Sequence, residues 1–583
     1  MEDLTFQLAQ NELKKYGLAA DFRENAELPS FEISAKDGKV TISAPNSLEM
    51  LYGVYELAEK FGGYCFFEPG KDRFREDRKV RQIPDGILVP ARKPALEIRG
   101  FIQEFPFNDE TPMLLDWMAK NKMNYIQVWM KYYDDLTPEY KEMARVRGIT
   151  IESGHHNFNY WIPGRKYNAT HPEYFAEING KRIQSSDGKS TLLLSEQLCT
   201  TNPELREEII QNMLAYLDKY PEVKIIALVP NDGFGWCECK ECSKYYDKNE
   251  MGDFYSVSEH VYKANRIYHD LIQYVGTRLH EKRPDVHLSF CAYINYCRPS
   301  EGMTLTPGLM VWFANYWRCI NHDIDDPACP INSHYADDIR SWVDVNRGGK
   351  VCVYEYFMGV NFYISLPMVH IMDIFKEVAW YEKNHVDGLA TQFHIPHWSV
   401  YGVNYYMFAK AARGETAPQA PMRMMEDLFG KDALAGSMFY DALKKTLLDL
   451  GGCHIPYPHS ILSRITSERC SYLLNLAKGL ASLAPEDPLR QDIVVWMEYL
   501  CRFKELFDLN EAGTLTLEKI EELQAWMHSF KGRRIFVLHR VDTYFEAIKA
   551  AVKNGRKWLH FNLDWEDAYI RRHHQLWTGH NDK

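Results

Sequence analysis

Short apolar stretches alternate with longer segments of helical periodicity through the middle of the chain. Apolar runs that end in polar residues or glycine are typical of buried strands, and the segments between them are long enough for helices. We therefore predict strands at Glu97–Gln103, Tyr125–Met130, Thr150–Glu152, Ile225–Val229, His287–Ile294, Met310–Tyr316, Val351–Tyr356 and Gly388–Phe393.

Eight strands separated by helices indicate repeated β/α units and a parallel sheet. Such units close into a (β/α)8 barrel or form an open, doubly wound sheet. The open sheet usually has a glycine-rich, phosphate-binding turn after its first strand, and Gly100–Ile102 offers none. We therefore predict an α/β protein built around a TIM-type (β/α)8 barrel.

The regions on either side of the predicted barrel have different patterns. Residues 1–90 are predicted to form a small α/β domain, in which Phe31–Ser34 and Val40–Ser43 alternate as the strands of a hairpin. Residues 91–415 are the predicted barrel. In residues 416–583 the apolar positions recur at helical spacing, so an α-helical domain is predicted there.

Composition excludes several classes of protein. The 583 residues are 46% hydrophobic and 25% charged, which is typical of a globular chain and not of a disordered one. The net charge of −12 disfavours nucleic-acid binding, and the apolar runs are too short to span a membrane. The acidic start at Met1 has no signal-peptide pattern, so we expect a cytoplasmic protein, or an exported one if the natural chain carries a signal before Met1.

The polar residues at the ends of the predicted strands are the candidates for chemistry, because active sites of barrels lie there. Asn231 and Asp232 follow the apolar strand Ile225–Val229, either as a functional amide and carboxylate or as an ordinary turn. Glu355 lies among aromatic residues in the seventh strand. Such surroundings would raise its pKa and suit a proton donor, and a structural salt bridge is the alternative.

Further charged and polar residues lie on the first and third strands. Glu104 and Glu152, near the ends of these strands, are candidates of the same kind as Glu355. His155 and His156 follow the third strand and could bind sugar hydroxyls or a metal; we favour hydroxyls, because adjacent residues seldom both face one ion. Arg99, a charge inside the first strand, requires an acidic partner or a ligand.

A cysteine cluster, Cys237, Cys239 and Cys242, follows Asp232 closely. Three close thiols in a sequence without a signal-peptide pattern suggest a zinc site with a fourth ligand from elsewhere. Cys319, His322 and Cys329 could supply that ligand. The alternative is a set of free thiols that order the loop. The H-E-x-x-H, P-loop and G-x-S-x-G motifs are absent, which disfavours the common protease, phosphoryl-transfer and esterase mechanisms.

Several segments resemble known families. Val229–Gly233 with Trp236–Cys242, and Arg318–His322 with Asp326–Cys329, resemble the signature of domain-of-unknown-function family 4838. That family includes glycoside hydrolase family 163, endo-acting β-N-acetylglucosaminidases on N-glycans. The segment Ser43–Gly70 looks like the small α/β domain that precedes the barrel in family 20 hexosaminidases and in α-glucuronidases.

The resemblance implies roles for residues of this chain. Family 20 enzymes carry an Asp-Glu pair after the fourth strand, which orients the attacking acetamide of the substrate and protonates the leaving oxygen. Here Asn231 would hold the acetamide and Asp232 would be the general acid. Arg99 would bind the non-reducing sugar, and His155 matches the family 20 histidine after the third strand. If Glu355 instead pairs with Asp232, a separation of about 5–5.5 Å implies retention and about 6.5–9.5 Å implies inversion.

Aromatic residues, 14% of the chain, supply candidate walls for a sugar-binding cleft. Trp312, Tyr316, Tyr354 and Trp398 are the candidates for stacking on sugars. We therefore predict a retaining glycoside hydrolase that cleaves β-linked N-acetylglucosamine in oligosaccharides or glycans, needs no cofactor for catalysis and could carry a structural zinc. The alternatives are an α-glucuronidase-like inverting hydrolase, which would need a basic pocket, and a non-catalytic glycan-binding protein.

Overall fold

Eight parallel strands close into a barrel at the centre of the molecule. The computed structural model describes residues 3–185, 196–232, 235–246, 264–293, 296–316, 318–319, 321–357, 364–447 and 461–558. The barrel strands are β1 Ile98–Gln103, β2 Tyr125–Trp129, β3 Thr150–Gly154, β4 Ile225–Ala227, β5 His287–Ala292, β6 Leu309–Ala314, β7 Lys350–Glu355 and β8 Gly388–Gln392.

The predicted TIM-type barrel is confirmed, and each observed strand overlaps a predicted one. Strand β8 pairs in parallel with β1, which closes the sheet. The strands are buried along nearly their whole length, as expected for a parallel sheet covered by helices. At Gly100 in β1 a Cβ atom would overlap the carbonyl oxygen of Tyr125 in β2, so only glycine allows this close approach.

Helices follow most of the barrel strands and pack against the outside of the sheet. Asn202 illustrates how they begin: its side chain accepts from the amides of Glu204 and Leu205, and Pro203 occupies the first helical position. The longer helices are Thr111–Lys120, Pro138–Val146, Pro203–Lys219, Asn265–Lys282, Pro330–Asp344, Ile371–Lys383 and Trp398–Arg413. The shorter ones are Met130–Asp134, Phe158–Trp161 and Gly164–Tyr167, and a two-stranded hairpin pairs Glu177–Ile178 with Lys181–Arg182.

A four-stranded sheet and two helices precede the barrel and have their own apolar core. The sheet strands are Asp21–Glu24, Glu32–Lys36, Lys39–Ala44 and Gly86–Val89; the helices are Leu4–Lys15 and Ser47–Lys60; and a separate hairpin joins Tyr64–Glu68 to Lys71–Phe74. This hairpin packs on the barrel. The indoles of Trp117 and Trp398 both donate to the carbonyl oxygen of Phe67, so one backbone acceptor joins the hairpin to two barrel helices.

The C-terminal region consists of helices in the residues that the structure describes. They are Gln419–Phe429, Ala433–Leu447, Ser467–Ser482, Pro488–Ala512, Leu517–His528 and Leu538–Lys553. Trp496 and Tyr499 of the longest helix donate to the carbonyls of Ser365 and Ile364, which attaches this region to the barrel segment after β7. None of the described helices combines the length and the apolar character needed to cross a membrane.

Histidines buried around the barrel predict a loss of stability in mild acid. Burial lowers the pKa of His269 and of His397 to about 3, so both are neutral in the folded chain. The unfolded chain binds a proton at each below its ordinary pKa of about 6.5, so each residue costs about 1.4 kcal/mol of stability per pH unit below that value. We expect the thermal unfolding midpoint, followed by circular dichroism, to fall steadily between pH 6.5 and pH 5.

Replacing one of these histidines tests the prediction. The variant His269→Gln should show a shallower fall of the midpoint over this pH interval than the parent chain. His171, whose side chain is 42% exposed, provides the control, because His171→Gln removes a histidine that folding leaves largely accessible to water. A parent midpoint that is constant between pH 6.5 and pH 5 would contradict the prediction.

Candidate active site

The carboxyl ends of the barrel strands bring polar and aromatic residues together at one mouth of the barrel. This is the end at which barrel enzymes have their active sites. The residues that contact one another there are Glu104 after β1, Trp129 at the end of β2, His155 and His156 after β3, Asp232 after β4, Tyr293 after β5, Tyr316 after β6, Tyr354 and Tyr356 at β7, and Gln392 at the end of β8.

Asp232 lies beside His156 and is partly exposed. Its Oδ1 is 3.9 Å from Nε2 of His156, and about a fifth of the Asp232 side chain is exposed. The other ring nitrogen of His156, Nδ1, is 2.5 Å from the carbonyl oxygen of Pro230. A carbonyl oxygen only accepts, so Nδ1 carries a proton and donates this hydrogen bond, and Nε2 is the ring nitrogen that faces Asp232.

Glu104 occupies the other side of the histidine pair. Its Oε1 accepts from Nε2 of Gln392 at 2.5 Å and from the hydroxyl of Tyr354 at 3.2 Å, and lies 3.7 Å from Nε2 of His155. The rings of His155 and His156 are 4.7 Å apart. The two rings therefore stand between two carboxylates, Glu104 and Asp232.

His155 is held in a defined and neutral state. Its ring stacks on that of Trp129 with centroids 4.2 Å apart. Burial, with a smaller contribution from His156, keeps the pKa of His155 well below its ordinary value. Its backbone φ of 70° is in the left-handed region, which is uncommon outside glycine and is often found at functional sites.

Four tyrosines line the adjoining part of the mouth. Tyr354 stacks on Tyr356 with centroids 4.8 Å apart, Tyr356 contacts Tyr316 at 5.1 Å, and Tyr316 contacts Tyr293 at 6.0 Å. Tyr293 in turn lies 6.1 Å from the ring of His156. Tyrosine combines an apolar ring face with a polar hydroxyl, which is the combination that suits a sugar ring.

Glu355 does not reach this mouth, which corrects the prediction that it is a catalytic residue. Its side chain is fully buried and accepts hydrogen bonds from Arg318 at 2.5 Å and from Tyr381 at 2.7 Å. Tyr381 belongs to helix Ile371–Lys383 on the outside of the barrel. Neighbouring residues of a strand point to opposite faces, so Tyr354 faces the mouth and Glu355 faces the helix. The salt-bridge alternative is the observed one.

Arg99 lies at the opposite end of the barrel, so its predicted contact with a sugar is wrong. It is the second residue of β1, and its guanidinium donates to the carbonyl oxygens of Leu96, Glu97 and Lys122 at 2.7–3.0 Å. These bonds satisfy the buried charge without an acidic partner or a ligand. Burial lowers the pKa of Arg99 to about 10.

Two of the four aromatic residues predicted to stack on sugars lie away from the mouth. Trp312 lies inside the barrel below the mouth, where its indole donates to Glu152 at 3.1 Å. Trp398 is completely buried and packs edge-on against Trp117 at 4.7 Å. Both tryptophans therefore belong to the core. Of the four predicted aromatic residues, the structure brings Tyr316 and Tyr354 to the mouth.

Two further polar candidates are fully engaged within the protein. Glu152 is buried in the barrel and accepts from four side chains at 2.6–3.1 Å, and burial raises its pKa. Asn231 is 2% exposed, and its amide donates to Glu196 O at 2.6 Å and accepts from Asn159 N at 3.3 Å. The predicted role of Asn231 in holding an acetamide is corrected, because its side chain holds the loop backbone instead.

The cysteine cluster acquires a fourth member that the sequence did not reveal. Cys199, which precedes helix Pro203–Lys219, lies against Cys237, Cys239 and Cys242. Cys199 was not predicted as a member because it is far along the chain from the other three. The sequence shows it as one cysteine in the long connection between β3 and β4. The proposed source of the fourth ligand was wrong: Cys319, His322 and Cys329 form a separate group of their own.

Glycoside hydrolases are among the solved structures with a similar fold. A GH138 enzyme targeting pectin rhamnogalacturonan II is 11% identical, with 98% of this chain and 76% of that chain covered at a TM-score of 0.53. A family 89 glycoside hydrolase from Clostridium perfringens, in complex with PUGNAc, is 11% identical, with 98% and 74% covered at a TM-score of 0.51. At such identities the likeness concerns the fold alone.

Flavobacterium johnsoniae chitobiase is 13% identical, with 93% of this chain and 94% of that chain covered at a TM-score of 0.46. No protein with a curated description matches the sequence. The family described as Domain of unknown function (DUF4838) matches residues 94–434, more than half of the chain and all eight barrel strands. The resemblance seen in the sequence around Asp232 is thereby confirmed, and the chain belongs to the DUF4838 family.

Proposed function

We propose that the chain is a glycoside hydrolase in which Asp232 acts as general acid and base at the barrel mouth, and that its substrate is β-linked N-acetylglucosamine in oligosaccharides or glycans. The observation that carries this proposal is the position of Asp232: a partly exposed carboxylate after β4, beside His156, whose ring lies 6.1 Å from that of Tyr293 in the row of four tyrosines. Glycoside hydrolysis needs such a proton donor next to a surface that binds the sugar ring.

Glu104 replaces Glu355 as the second carboxylate of the proposed site. It lies at the same mouth as Asp232, on the far side of His155 and His156, and two donors hold its Oε1. We propose that Glu104 stabilises the positive charge that develops at the anomeric carbon and activates the attacking group. Neutral His155 then keeps the two carboxylates apart without adding a charge.

The two carboxylates beside the histidine pair are one observation against the glucuronidase alternative. An α-glucuronidase needs cationic groups to receive the carboxylate of its substrate. The ionisable groups that flank the histidine pair here, Glu104 and Asp232, are both acidic and would repel it. Arg99, the cation predicted to contact the sugar, lies at the other end of the barrel.

Aryl glycosides of N-acetylglucosamine, glucuronic acid and neutral hexoses test the proposed activity. We expect turnover of the β-N-acetylglucosaminide, and NMR of the first product anomer distinguishes retention from inversion. Turnover of glucuronides alone would support the alternative hydrolase. Binding of N-acetylglucosamine oligosaccharides without turnover of any glycoside would show a non-catalytic glycan-binding protein and would overturn the proposal.

The variant Glu104→Gln tests the second carboxylate. We expect kcat on the N-acetylglucosaminide to fall by about 10²–10³-fold, because the amide keeps the shape but loses the negative charge near the reacting carbon. Glu97 offers a matched control at the opposite end of β1, where it is exposed and pairs with Lys350. The variant Glu97→Gln should keep kcat within about twofold of the parent, since exposed ion pairs contribute little. Equal activity of both variants would contradict the role of Glu104.

A further inference from the structure

Four buried cysteines from two separate segments converge beside the β4 loop. Cys199 comes from the connection between β3 and β4, and Cys237, Cys239 and Cys242 follow β4. All four sulfur atoms lie within 4.8 Å of one another. The sulfur of Cys199 is 3.7 Å from that of Cys239 and 3.8 Å from that of Cys242.

These separations match a tetrahedral metal site. A zinc ion with sulfur ligands at about 2.3 Å in tetrahedral geometry places neighbouring sulfurs about 3.8 Å apart. A disulfide would need about 2.05 Å, and the four thiols are unlinked. The amide of Glu177 donates to the sulfur of Cys237 at 3.2 Å, and the guanidinium of Arg182 lies 3.5 Å from the same sulfur. Such donors stabilise the negative charge of metal-bound thiolates.

We propose that Cys199, Cys237, Cys239 and Cys242 bind one structural zinc ion, and that this ion fixes the β4 loop that carries Asp232. Four thiolates close the coordination of zinc and leave no position for a substrate or water, so the ion serves structure and not chemistry. Only the role of Asp232 rests on the proposed function; the metal site itself does not.

The contacts around Asn231 explain how the ion would position Asp232. Gln197 donates from Nε2 to the carbonyl oxygen of Asn231 at 2.6 Å, and Asn231 donates from Nδ2 to the carbonyl oxygen of Glu196 at 2.6 Å. Residues 196–199 are thus bonded to the residue directly before Asp232. The zinc ion would bond the same segment, through Cys199, to the loop that follows Asp232. The loop would be held on both sides of its carboxylate.

Metal content tests the site independently of turnover. We expect elemental analysis of the chain purified without chelators to find stoichiometric zinc, and Cys199→Ser to hold one zinc ion less. Cys470→Ser is the matched control, because Cys470 is equally buried but lies in helix Ser467–Ser482. Cobalt exchanged into the parent chain should give intense thiolate-to-cobalt absorption, a readout that does not depend on a variant folding. A zinc content of Cys199→Ser equal to that of the parent, or a parent chain with neither zinc nor this absorption, would overturn the proposal.

Substitutions at Cys239 test whether the zinc ion positions Asp232. Cys239→Ser should lose zinc and lower kcat by about 10²-fold, because a displacement of about 1 Å at a reacting group has an effect of that size. Cys239→His restores a zinc ligand, so it should recover both the metal and most of kcat. Loss of zinc without a change in kcat would show a metal that does not position Asp232. An inactive parent chain that still holds zinc would refute the proposed function and leave the metal site standing.

A second, independent group points to another metal site after β6. The ligand atoms of Cys319, His322 and Cys329 lie within 4.8 Å of one another, and Cys319 Sγ is 3.3 Å from Nδ1 of His322. Fully buried Asn332 holds this loop: its Oδ1 accepts from the Cys319 amide at 2.8 Å, and its Nδ2 donates to the carbonyls of Cys319 and His322 at 2.9 Å. We infer that these two thiolates and one imidazole are ligands of a second zinc ion, since zinc favours such donors.

The zinc content of variants at each site distinguishes the two proposed zinc ions. We expect two zinc ions per parent chain, one in Cys199→Ser, one in Cys329→Ser and none in the double variant. One zinc ion in the parent that Cys329→Ser retains would overturn the second site and leave the first. Cobalt spectra separate the sites as well, because a site with two thiolates absorbs less strongly than one with four.

Discussion

Replacing Asp232 with asparagine is expected to lower kcat on N-acetylglucosamine oligosaccharides by about 10²–10⁴-fold, the usual contribution of a positioned proton donor. Asparagine keeps the shape of the side chain and its place beside His156, so the affinity for the sugar should be unchanged. The loss of kcat/KM should shrink to about tenfold on a dinitrophenyl glycoside, because that leaving group departs in the first step without receiving a proton. Steady-state kinetics on both substrates, with calorimetric binding of N-acetylglucosamine, measures the difference.

Glu355→Gln is the contrasting variant. Glu355 contacts Arg318 and Tyr381 on the outer side of the barrel, so this change should leave the kcat of folded protein near that of the parent. An Asp232→Asn variant with full turnover on both substrates would refute the assignment of the proton donor. A loss of turnover confined to Glu355→Gln, with folding intact, would reverse the assignment of the two residues.

Replacing Arg318 with methionine should cost about 3–5 kcal/mol of unfolding free energy, the largest effect on stability that we expect. Arg318 is 4% exposed and donates to the buried carboxylates of Glu355 and Glu377. Methionine preserves most of the volume but leaves both carboxylates without a cation. Burial raises the pKa of Glu377 to about 7, although the positive charge of Arg318 lowers it in part. Urea unfolding followed by fluorescence measures the loss.

An exposed arginine provides the comparison for Arg318. Arg340 is 43% exposed at its side chain and pairs with exposed Asp337, so Arg340→Met should change the unfolding free energy by less than about 1 kcal/mol. A similar small effect of Arg318→Met would show that the buried carboxylates take up protons or find other partners at little cost. Measurements over a range of pH would then reveal the protonation, because loss of Arg318 raises the pKa of Glu377 further and the variant should lose stability, relative to the parent, as the pH rises.

The barrel was predictable from the sequence because its strands are short apolar runs that end where polar residues begin. That pattern also located the mouth residues His155, which directly follows β3, and Asp232, which lies in the loop after β4. The direction of side chains within a strand was not predictable. In a strand buried on both faces, apolar and aromatic residues occupy both sides, so the neighbours of Tyr354 and Glu355 in Val351–Tyr356 do not show which of the two faces the mouth.

The sugar contact predicted for Arg99 was wrong because of the position of this residue along its strand. Cys199 was missed because it is far along the chain from the other three cysteines. Arg99 is one residue from the start of β1, so it lies at the closed end of the barrel even though it shares a strand with residues near the mouth. Cys199 meets the other cysteines only because the connection after β3 folds back beside the β4 loop. Contacts of this kind depend on tertiary structure, which local spacing does not encode.

The carbonyl oxygen of Phe67, which receives the indole protons of both Trp117 and Trp398, has a consequence for the independence of the N-terminal region. The side chain of Phe67 belongs to the apolar core of the barrel, and the two tryptophans are completely or almost completely buried. A barrel expressed without its first 90 residues would lose the acceptor for the N–H groups of both indoles and would expose to water the apolar surface that Phe67 covers. We therefore expect the barrel to be less stable when the first 90 residues are removed than in the whole chain.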